Sequence, residues 1–364
     1  MDIITQGLMG AVVAQAGATP KEARLAACIG FFAPLLADAD VLIRSLQDPL
    51  LSLEYHRHFT HALLFIPIGA LLASLVIWPL LHWVQIPRPQ MLRSPFSKQL
   101  TFKKIYFYAF LGYATAGFLD ACTSYGTYLL WPFSDERIAW SIISIFDPTF
   151  SLLLIAALSF GFIKYKPRAA QIGIVLSVVY WSIGVIQHHR AETLAHEYAQ
   201  QRGHTVERLI VKPTIGNLLL WRSVYEVDKH YVVDAIRAGL FNTTFFTGGK
   251  IKVFDINVDF PTTINQTVIN QTVTNQTTIY HDIKRFELFS DGFLVWHPEH
   301  RHVLGDIRFA MLPTSTSPLW GIELSPEKPN QHITYNTYRT MTENDRQNFF
   351  NMLLNKTSEK DSSH

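Results

Sequence analysis

Charged residues are scarce in this chain of 364 residues. Asp, Glu, Lys and Arg together make up 16% of it, whereas hydrophobic residues make up 48%. A soluble protein ordinarily has about 25% charged residues. The shortage is uneven, because apolar blocks fill the chain up to about residue 188 and charges are frequent beyond it. We therefore predict an α-helical polytopic membrane domain followed by a β-rich soluble domain.

Several common signals are also missing from the sequence. The two cysteines, Cys28 and Cys122, lie in apolar blocks without CxxC spacing, which favours buried free thiols over a disulfide or a zinc pair. The opening residues, MDIITQGLMG, lack the basic stretch of a cleaved signal peptide. The formal net charge is only +2, so nothing indicates nucleic-acid binding. No P-loop, GxGxxG or GxSxG motif is present.

Hydropathy predicts about six helices in the first domain, which we assign to residues 1–190. A helix needs about 20 residues to cross the apolar core of a bilayer, with a lower limit near 17, so the first two predicted helices are short. The predicted ranges are 3–17, 22–37, 61–83, 105–130, 138–163 and 169–187.

Basic residues are concentrated in two of the predicted short loops, after the third and the fifth helix. They are Arg88, Arg93, Lys98, Lys103 and Lys104, and then Lys164, Lys166 and Arg168. The positive-inside rule places these loops in the cytoplasm. Residues 38–60 and everything after residue 187 then lie on the opposite side, which is the periplasm for a bacterial inner membrane.

The β-rich domain is assigned to residues 191–355. Alternating patterns rich in β-branched and aromatic residues predict its strands, and residues 343–354 resemble a terminal helix. The strand candidates are 206–214, 217–227, 229–238, 250–260, 285–298, 303–312 and 332–338.

Two further features of the second half are compositional. Three NQT triplets form a short repeat that we interpret as an insertion near residues 262–279. Their sequon pattern indicates glycosylation only in a eukaryotic secretory host. Residues 356–364 are predicted to be a disordered tail.

Acidic residues interrupt the apolar half at three places. Asp38 and Asp40, in LADADVLI, stand at a predicted helix end whose partial negative charge disfavours carboxylates. This indicates a bound cation, although two solvated acids ending a helix are an alternative. Asp120 lies in an apolar helix and needs a proton, a partner or a metal, so it could also simply hold two helices together. Asp147, before Pro148, is best explained as a helix cap.

Histidines supply the other candidate ligands. The segment HRHFTH contains His56, His58 and His61 immediately before an apolar helix. Imidazole nitrogens together with carboxylate oxygens suit zinc, manganese or iron. Arg57 could pair with an anionic substrate or with an Asp. The alternative is a basic cluster that touches lipid phosphates. The predicted topology places these histidines and the acidic residues at one membrane surface.

The order of these segments resembles the YdjM-like family of membrane-bound metal-dependent hydrolases. The resemblance covers roughly residues 1–190, through MDIITQG, LADADVLI, HRHFTHALL and LDACTSYGTYLLWPF followed by FDP. Ala37, His58 and Ala62 differ from the residues usual at these places, and Gln6 stands where many relatives have His. The later part resembles the C-terminal extension of one branch of the family through NLLLWRS, FSDGF and DIRF.

The resemblance implies a metal-dependent hydrolase. Together with the predicted topology, it leads us to expect an enzyme at the outer face of the inner membrane with one or two divalent metals, zinc or manganese. We assign metal binding to Asp38, Asp40, His56, His61 and Asp120, catalytic contacts to Arg57 and His58, and supporting roles to Gln6, Thr60, Thr123, Tyr125 and Asp147. Metal-activated water would attack a phosphoester or other ester. We expect membrane lipids as partners and a lipid or lipid-linked substrate. A non-catalytic membrane scaffold with a periplasmic interaction domain, or a transporter with a proton relay, are the alternatives.

Overall fold

The structure is a computed structural model. It describes residues 1–84, 101–164, 167–259, 277–325 and 327–356. Apart from Thr277, the three NQT triplets lie outside the described residues. So do residues 357–364 of the predicted tail and Arg88, Arg93, Lys98 and Lys166 of the predicted basic loops.

The chain divides into two compact units. The first comprises Met1–Ile43, Tyr55–Ile186 and Ile215–Asn217. The second comprises Arg44–Glu54, Gln187–Thr214 and Leu218–His364.

The N-terminal part is helical. Its α-helices are α1 (Ile3–Ala16), α2 (Ala23–Leu35), α3 (Leu51–Tyr55), α4 (Ile66–Val84), α5 (Phe102–Ala121), α6 (Pro148–Lys164) and α7 (Pro167–Gln201). Short 3₁₀ helices cover Ala37–Leu42, Phe59–His61 and Leu63–Phe65.

Three helical stretches among the described residues are long and apolar enough to cross a membrane. They are Ala23–Leu42, Leu63–Leu81 and Pro167–Gln201, and α1 and α6 are apolar but shorter. The predicted helical N-terminal region is therefore confirmed. The predicted number of six helices is not confirmed.

The region between α5 and α6 departs from the predicted helices. The apolar run suggested helices over 105–130 and 138–163, but α5 ends at Ala121 and α6 begins at Pro148. The intervening chain pairs with itself instead, since Thr127 and Ile138 form an antiparallel bridge and Trp140 N donates to Ala121 O at 2.8 Å. A continuous apolar run alone does not distinguish helix from extended chain.

Small residues allow α1, α2 and α5 to pack closely. A Cβ atom added to Gly10 would lie 2.2 Å from the carbonyl oxygen of Gly30, and one added to Gly112 would lie 2.6 Å from the same oxygen. Such contacts let helix backbones approach within an apolar environment. This packing fixes the end of α2, which leads into the acidic segment, relative to α5.

The C-terminal part contains two four-stranded antiparallel sheets with strand orders β1-β2-β3-β4 and β5-β6-β7-β8. The strands of the first sheet are β1 (Arg208–Pro213), β2 (Leu220–Val227), β3 (His230–Ala238) and β4 (Thr243–Lys252). Those of the second are β5 (Leu294–Trp296), β6 (Val303–Asp306), β7 (Trp320–Glu323) and β8 (Thr334–Thr337). The helices of this part are α8 (Ile256–Asp259), α9 (Thr278–Phe289) and α10 (Glu343–Leu354). The predicted β-rich region and terminal helix are confirmed.

Strand β2 is buried on both faces. Trp221 packs against Ala191 and Ala195 of α7, whereas Val224 packs on the opposite side with residues that include Phe293. This two-sided burial explains why the apolar residues of the strand do not simply alternate with polar ones.

Several details of the strand prediction are wrong. Strand β4 covers Thr243–Lys252, so it begins seven residues before the predicted segment 250–260. Residues 285–289 belong to α9, because Ile279, Ile283 and Phe286 recur at helical spacing and are all buried. Residues 256–259 form α8. Strand β7 was not predicted at all, since its four residues are too short a signal.

Candidate metal centre

Three segments far apart in the chain supply the central side chains. Asp38 and Asp40 lie in the 3₁₀ helix that continues from α2. His61 ends the 3₁₀ helix Phe59–His61, and Asp120 lies in the last turn of α5. Asp40, His61 and Asp120 are all buried.

Asp38, His61 and Asp120 form a group whose ligand atoms all lie within 4.8 Å of one another. His61 Nε2 is 3.1 Å from Asp120 Oδ2 and 3.5 Å from Asp38 Oδ1. These two atoms of His61 and Asp120 thus form an ion pair, although neither makes a hydrogen bond of regular geometry with a described residue. Atoms bound tetrahedrally to zinc at about 2.0–2.1 Å would be about 3.3–3.4 Å apart. The two distances and the donor set therefore fit a divalent metal.

Electrostatics also favour a cation in this group. Burial lowers the pKa of His61, but the surrounding carboxylates of Asp120, Asp38 and Asp40 outweigh burial and raise it to about 10. Asp120 also forms an ion pair with the amino group of Met1. The carboxylates thus concentrate enough negative charge to attract several positive groups.

Asp40 organises the group through hydrogen bonds. Its Oδ1 lies 2.9 Å from His56 Nδ1, and its Oδ2 accepts from Arg57 N at 2.7 Å and from Thr60 Oγ1 at 2.9 Å. Thr60 Oγ1 also lies 3.0 Å from His61 Nδ1. Because the Thr60 hydrogen goes to Asp40, the Thr60 oxygen accepts from Nδ1–H. In the neutral imidazole, this leaves the lone pair on Nε2, the atom that faces Asp38 and Asp120.

The backbone of Arg57 is in the left-handed region, with φ of 62°, which is uncommon for a residue with a side chain. Its N–H donates to Asp40, and its carbonyl oxygen accepts from Thr127 Oγ1 at 2.9 Å. Both backbone groups are therefore held by partners that maintain this conformation.

The buried guanidinium of Arg57 reaches the metal-ligand group. Its Nε is 3.3 Å from Asp120 Oδ2, its terminal Nη2 donates to Met1 O at 3.4 Å, and it lies over the ring of Tyr125 at 4.8 Å. Its Nη1 has no hydrogen-bond partner among the described residues. An arginine in this position can bind an anion beside the metal-ligand group.

Two other predicted residues lie in different surroundings. His58 packs among aromatic rings, with ring centroids 4.7 Å from Tyr128 and 5.6 Å from Trp131. Asp147 accepts from Phe150 N at 3.1 Å and from Tyr180 OH at 2.8 Å. Asp147 thus caps α6, as its position before a proline suggested.

The remaining predicted residues have supporting positions. Thr123 Oγ1 donates to the backbone oxygen of Asp120 at 2.8 Å, and Tyr125 contacts His56 edge-on at 5.8 Å between ring centroids. Gln6 is fully buried on α1, and neither its amide nitrogen nor its oxygen has a partner among the described residues.

Two residues of α5 that the sequence did not single out support the group. Tyr113 OH donates to Thr60 O at 2.8 Å. A Cβ atom added to Gly117 would lie 2.0 Å from His61 O. Tyr113, Gly117 and Asp120 are spaced by four and three residues, so they share one face of α5. This spacing could have identified Tyr113 and Gly117 from the sequence as neighbours of Asp120.

Two further groups in the described part of the chain have metal-ligand chemistry: His188, His189 and Glu192, and Asp48, Asp282 and His332. The first lies along α7, where His189 is exposed. The second already contains a cation, since Arg285 pairs with both Asp48 and Asp282. Neither of these two groups is as buried as the group of Asp38, His61 and Asp120, in which two of the three residues are buried.

A family model described as YdjM inner membrane protein matches residues 1–191, which include every residue of the candidate centre. The chain belongs to the YdjM inner membrane protein family. It is also similar to the uncharacterized protein YfhP of Bacillus subtilis strain 168, with 25% identity over 179 residues, 49% of each chain. The chain thus spans about half the length of this curated relative. No solved structure matches the chain. Membership identifies an inner membrane protein, and the structure adds groups of residues that could hold a metal.

Proposed function

We propose that this YdjM-family protein is a membrane-bound metal-dependent hydrolase that cleaves a phosphoester or other ester of a lipid or lipid-linked substrate. The observation that carries the proposal is the convergence of Asp38, His61 and Asp120. Their ligand atoms meet within 4.8 Å of one another in a mostly buried group. Two carboxylates and an imidazole gathered in this way are suited to hold a divalent metal.

Asp38, His61 and Asp120 would hold the metal, for which zinc or manganese suits one imidazole nitrogen and two carboxylate oxygens. A bound divalent metal lowers the pKa of a coordinated water and polarises an ester oxygen. Three protein ligands leave room for water and substrate, which is the usual arrangement of a catalytic site.

Arg57 and His56 would act on the substrate. The guanidinium of Arg57, with Nη1 free of hydrogen bonds, binds and orients a phosphate or carboxylate group. Asp40 fixes the His56 ring through Nδ1, so the His56 Nε2 is oriented to accept or donate a proton. In this assignment Asp40 and His56, both predicted ligands, form a proton-transfer pair instead.

We further propose that the site faces the periplasm. Support comes from membership of an inner membrane family and from the basic residues of the predicted cytoplasmic loops, such as Lys103 and Lys104. Reporter fusions after residue 83 and after residue 364 test this orientation. A cytoplasmic position for residue 364 would overturn it.

The test of function uses the full-length protein purified in detergent. Its zinc and manganese content is measured, and hydrolysis is followed with bis(4-nitrophenyl) phosphate and with vesicles of phosphatidylcholine and phosphatidic acid. Asp120→Asn should lose bound metal and activity together. Asp147→Asn, the same change at the carboxylate that caps α6, should keep both.

Two outcomes would overturn the hydrolase proposal. The first is a wild-type protein that binds neither metal, as a non-catalytic scaffold would. The second is a metal-loaded protein in which Asp120→Asn and Asp147→Asn retain equal metal and activity.

A further inference from the structure

The turn between β3 and β4 exposes two large apolar side chains. Phe241 is 99% exposed and Leu240 is 79% exposed. Single apolar residues on a surface are common, but adjacent and strongly exposed Leu and Phe side chains at the tip of a hairpin indicate a surface that contacts a membrane or another protein. The turn spans residues 239–242 and lies in the second compact unit.

The base of this hairpin is attached to α7 directly after its apolar stretch. The buried amide of Gln187 donates to Ala238 O at 2.9 Å, and Arg190 donates to Gly239 O at 2.6 Å. Gln187 immediately follows Ile186, which is 66% exposed on the same helix.

The exposed apolar side chains of α7 need the membrane as their surroundings, and Ile186 is the last of them before the polar run. Since a helix rises about 1.5 Å per residue, Gln187 and Arg190 lie within about one turn of Ile186. The hairpin base is therefore at the membrane surface. The tip residues Leu240 and Phe241 lie only one or two residues beyond Gly239 of this base, so they can reach the headgroup region.

A second loop is held by the same side chain of α7 and carries one exposed apolar residue. Gln187 also donates to Leu218 O at 3.1 Å, and Ile215, three residues earlier, is 61% exposed. Two loops held by one side chain of α7 thus both present exposed apolar residues.

We propose that the β3–β4 turn inserts Leu240 and Phe241 into the headgroup region of the bilayer that α7 crosses. The aromatic ring and the neighbouring Arg190 match the composition of elements that lie in membrane interfaces. The inference rests on α7 crossing a membrane and is independent of the proposed hydrolase activity.

The test places a tryptophan reporter at the tip. Full-length Phe241→Trp is reconstituted in phosphatidylcholine vesicles with and without brominated acyl chains, and the signal of the parent protein is subtracted. The matched control is Val258→Trp, because Val258 is 59% exposed and lies just beyond the opposite end of β4, about 30 Å from the tip along the strand.

Bromine should quench the added fluorescence of F241W at least several-fold more than that of V258W. Equal quenching in the two variants would overturn the proposal. So would an F241W signal that is insensitive to bromine, whether the side chain is in water or covered by a second copy of the chain or another protein. A position at the headgroup level also requires stronger quenching by bromine near the carbonyl end of the acyl chain than by bromine at its terminus.

Discussion

The hydroxyl of Thr60 donates to Asp40 Oδ2 at 2.9 Å and lies 3.0 Å from Nδ1 of the adjacent His61. One hydroxyl group thus connects the carboxylate that organises the site to the imidazole that faces the other two acids. In the neutral imidazole, this hydroxyl determines which nitrogen carries the hydrogen, and so which nitrogen is left to bind a metal.

Thr60→Val should weaken metal binding about 10- to 100-fold, the usual cost of removing a partner that orients a metal ligand. The volume of the side chain hardly changes, so the effect isolates the hydroxyl. Titration calorimetry with zinc measures the affinity. Thr60→Ser keeps the hydroxyl and should retain most of the affinity; a T60S affinity as weak as that of T60V would contradict the assigned role.

His56 provides a test that separates proton transfer from metal binding. Because its Nδ1 is bonded to Asp40 and it lies outside the metal-ligand group, His56→Gln should keep the bound metal and lower kcat by about 10²–10⁴-fold. Metal content and steady-state kinetics measure the two effects. His58→Gln, beside it among aromatic rings, should reduce kcat far less. Loss of metal from H56Q would instead indicate that His56 is a metal ligand, as the sequence analysis predicted.

Much of the site was accessible from the sequence because ionisable residues in apolar segments are rare. Asp38, His61 and Asp120 were identified as candidate ligands in this way, and the structure places them together. The sequence alone could not distinguish Asp40 and His56 from these three ligands, so all five residues were predicted to bind the metal. Spacing does not reveal the turn at Arg57, whose φ of 62° lets its N–H reach Asp40.

The fold was predictable at the level of a helical part followed by a sheet-rich part. The ends of α5 and α6 were less predictable. The apolar chain between them is not helical, and Thr127 and Ile138 form an antiparallel bridge there. The start of α9 was missed because its buried Ile279, Ile283 and Phe286 are interspersed with polar residues, and β-branched residues are also typical of strands.

Gly117 leaves space for the backbone of His61. A Cβ atom there would lie 2.0 Å from His61 O, so Gly117→Ala must displace the segment that carries the imidazole. A displacement of about 1 Å can reduce catalysis about 10²-fold, and we expect a loss of that size in the vesicle assay. Thr115→Ala, on the same helix, is the control, and circular dichroism checks that both variants fold. Unchanged activity of a folded G117A variant would show that the close approach of Gly117 to His61 O is not needed to position the imidazole.

Arg285 joins the segment Arg44–Glu54, which includes most of α3, to α9. It bonds Glu54 at 2.6 Å, Asp48 at 2.9 Å and the buried Asp282 at 3.0 Å. Arg285→Gln should destabilise this attachment by about 1–2 kcal/mol, because charged hydrogen bonds are lost at a partly buried position. Hydrogen exchange of residues 44–54 should then accelerate. Lys284→Gln removes an exposed ion pair with Glu287 and should leave the exchange of residues 44–54 unchanged. Equal acceleration in both variants would show that any loss of a positive charge on α9 has this effect.

The same attachment should depend on pH. Burial raises the pKa of Asp48, but its hydrogen bonds and charge interaction with Arg285 outweigh burial, so the pKa lies below its ordinary value. A carboxyl whose folded-state pKa is depressed stabilises the fold above its ordinary pKa, and this stabilisation is lost as the pH falls through the folded-state value. Exchange of residues 44–54, corrected for intrinsic rates, should therefore accelerate below about pH 4. Arg285→Gln, which lacks the interaction at every pH, should show a smaller change, and an identical pH response in the two proteins would assign the effect to other carboxylates.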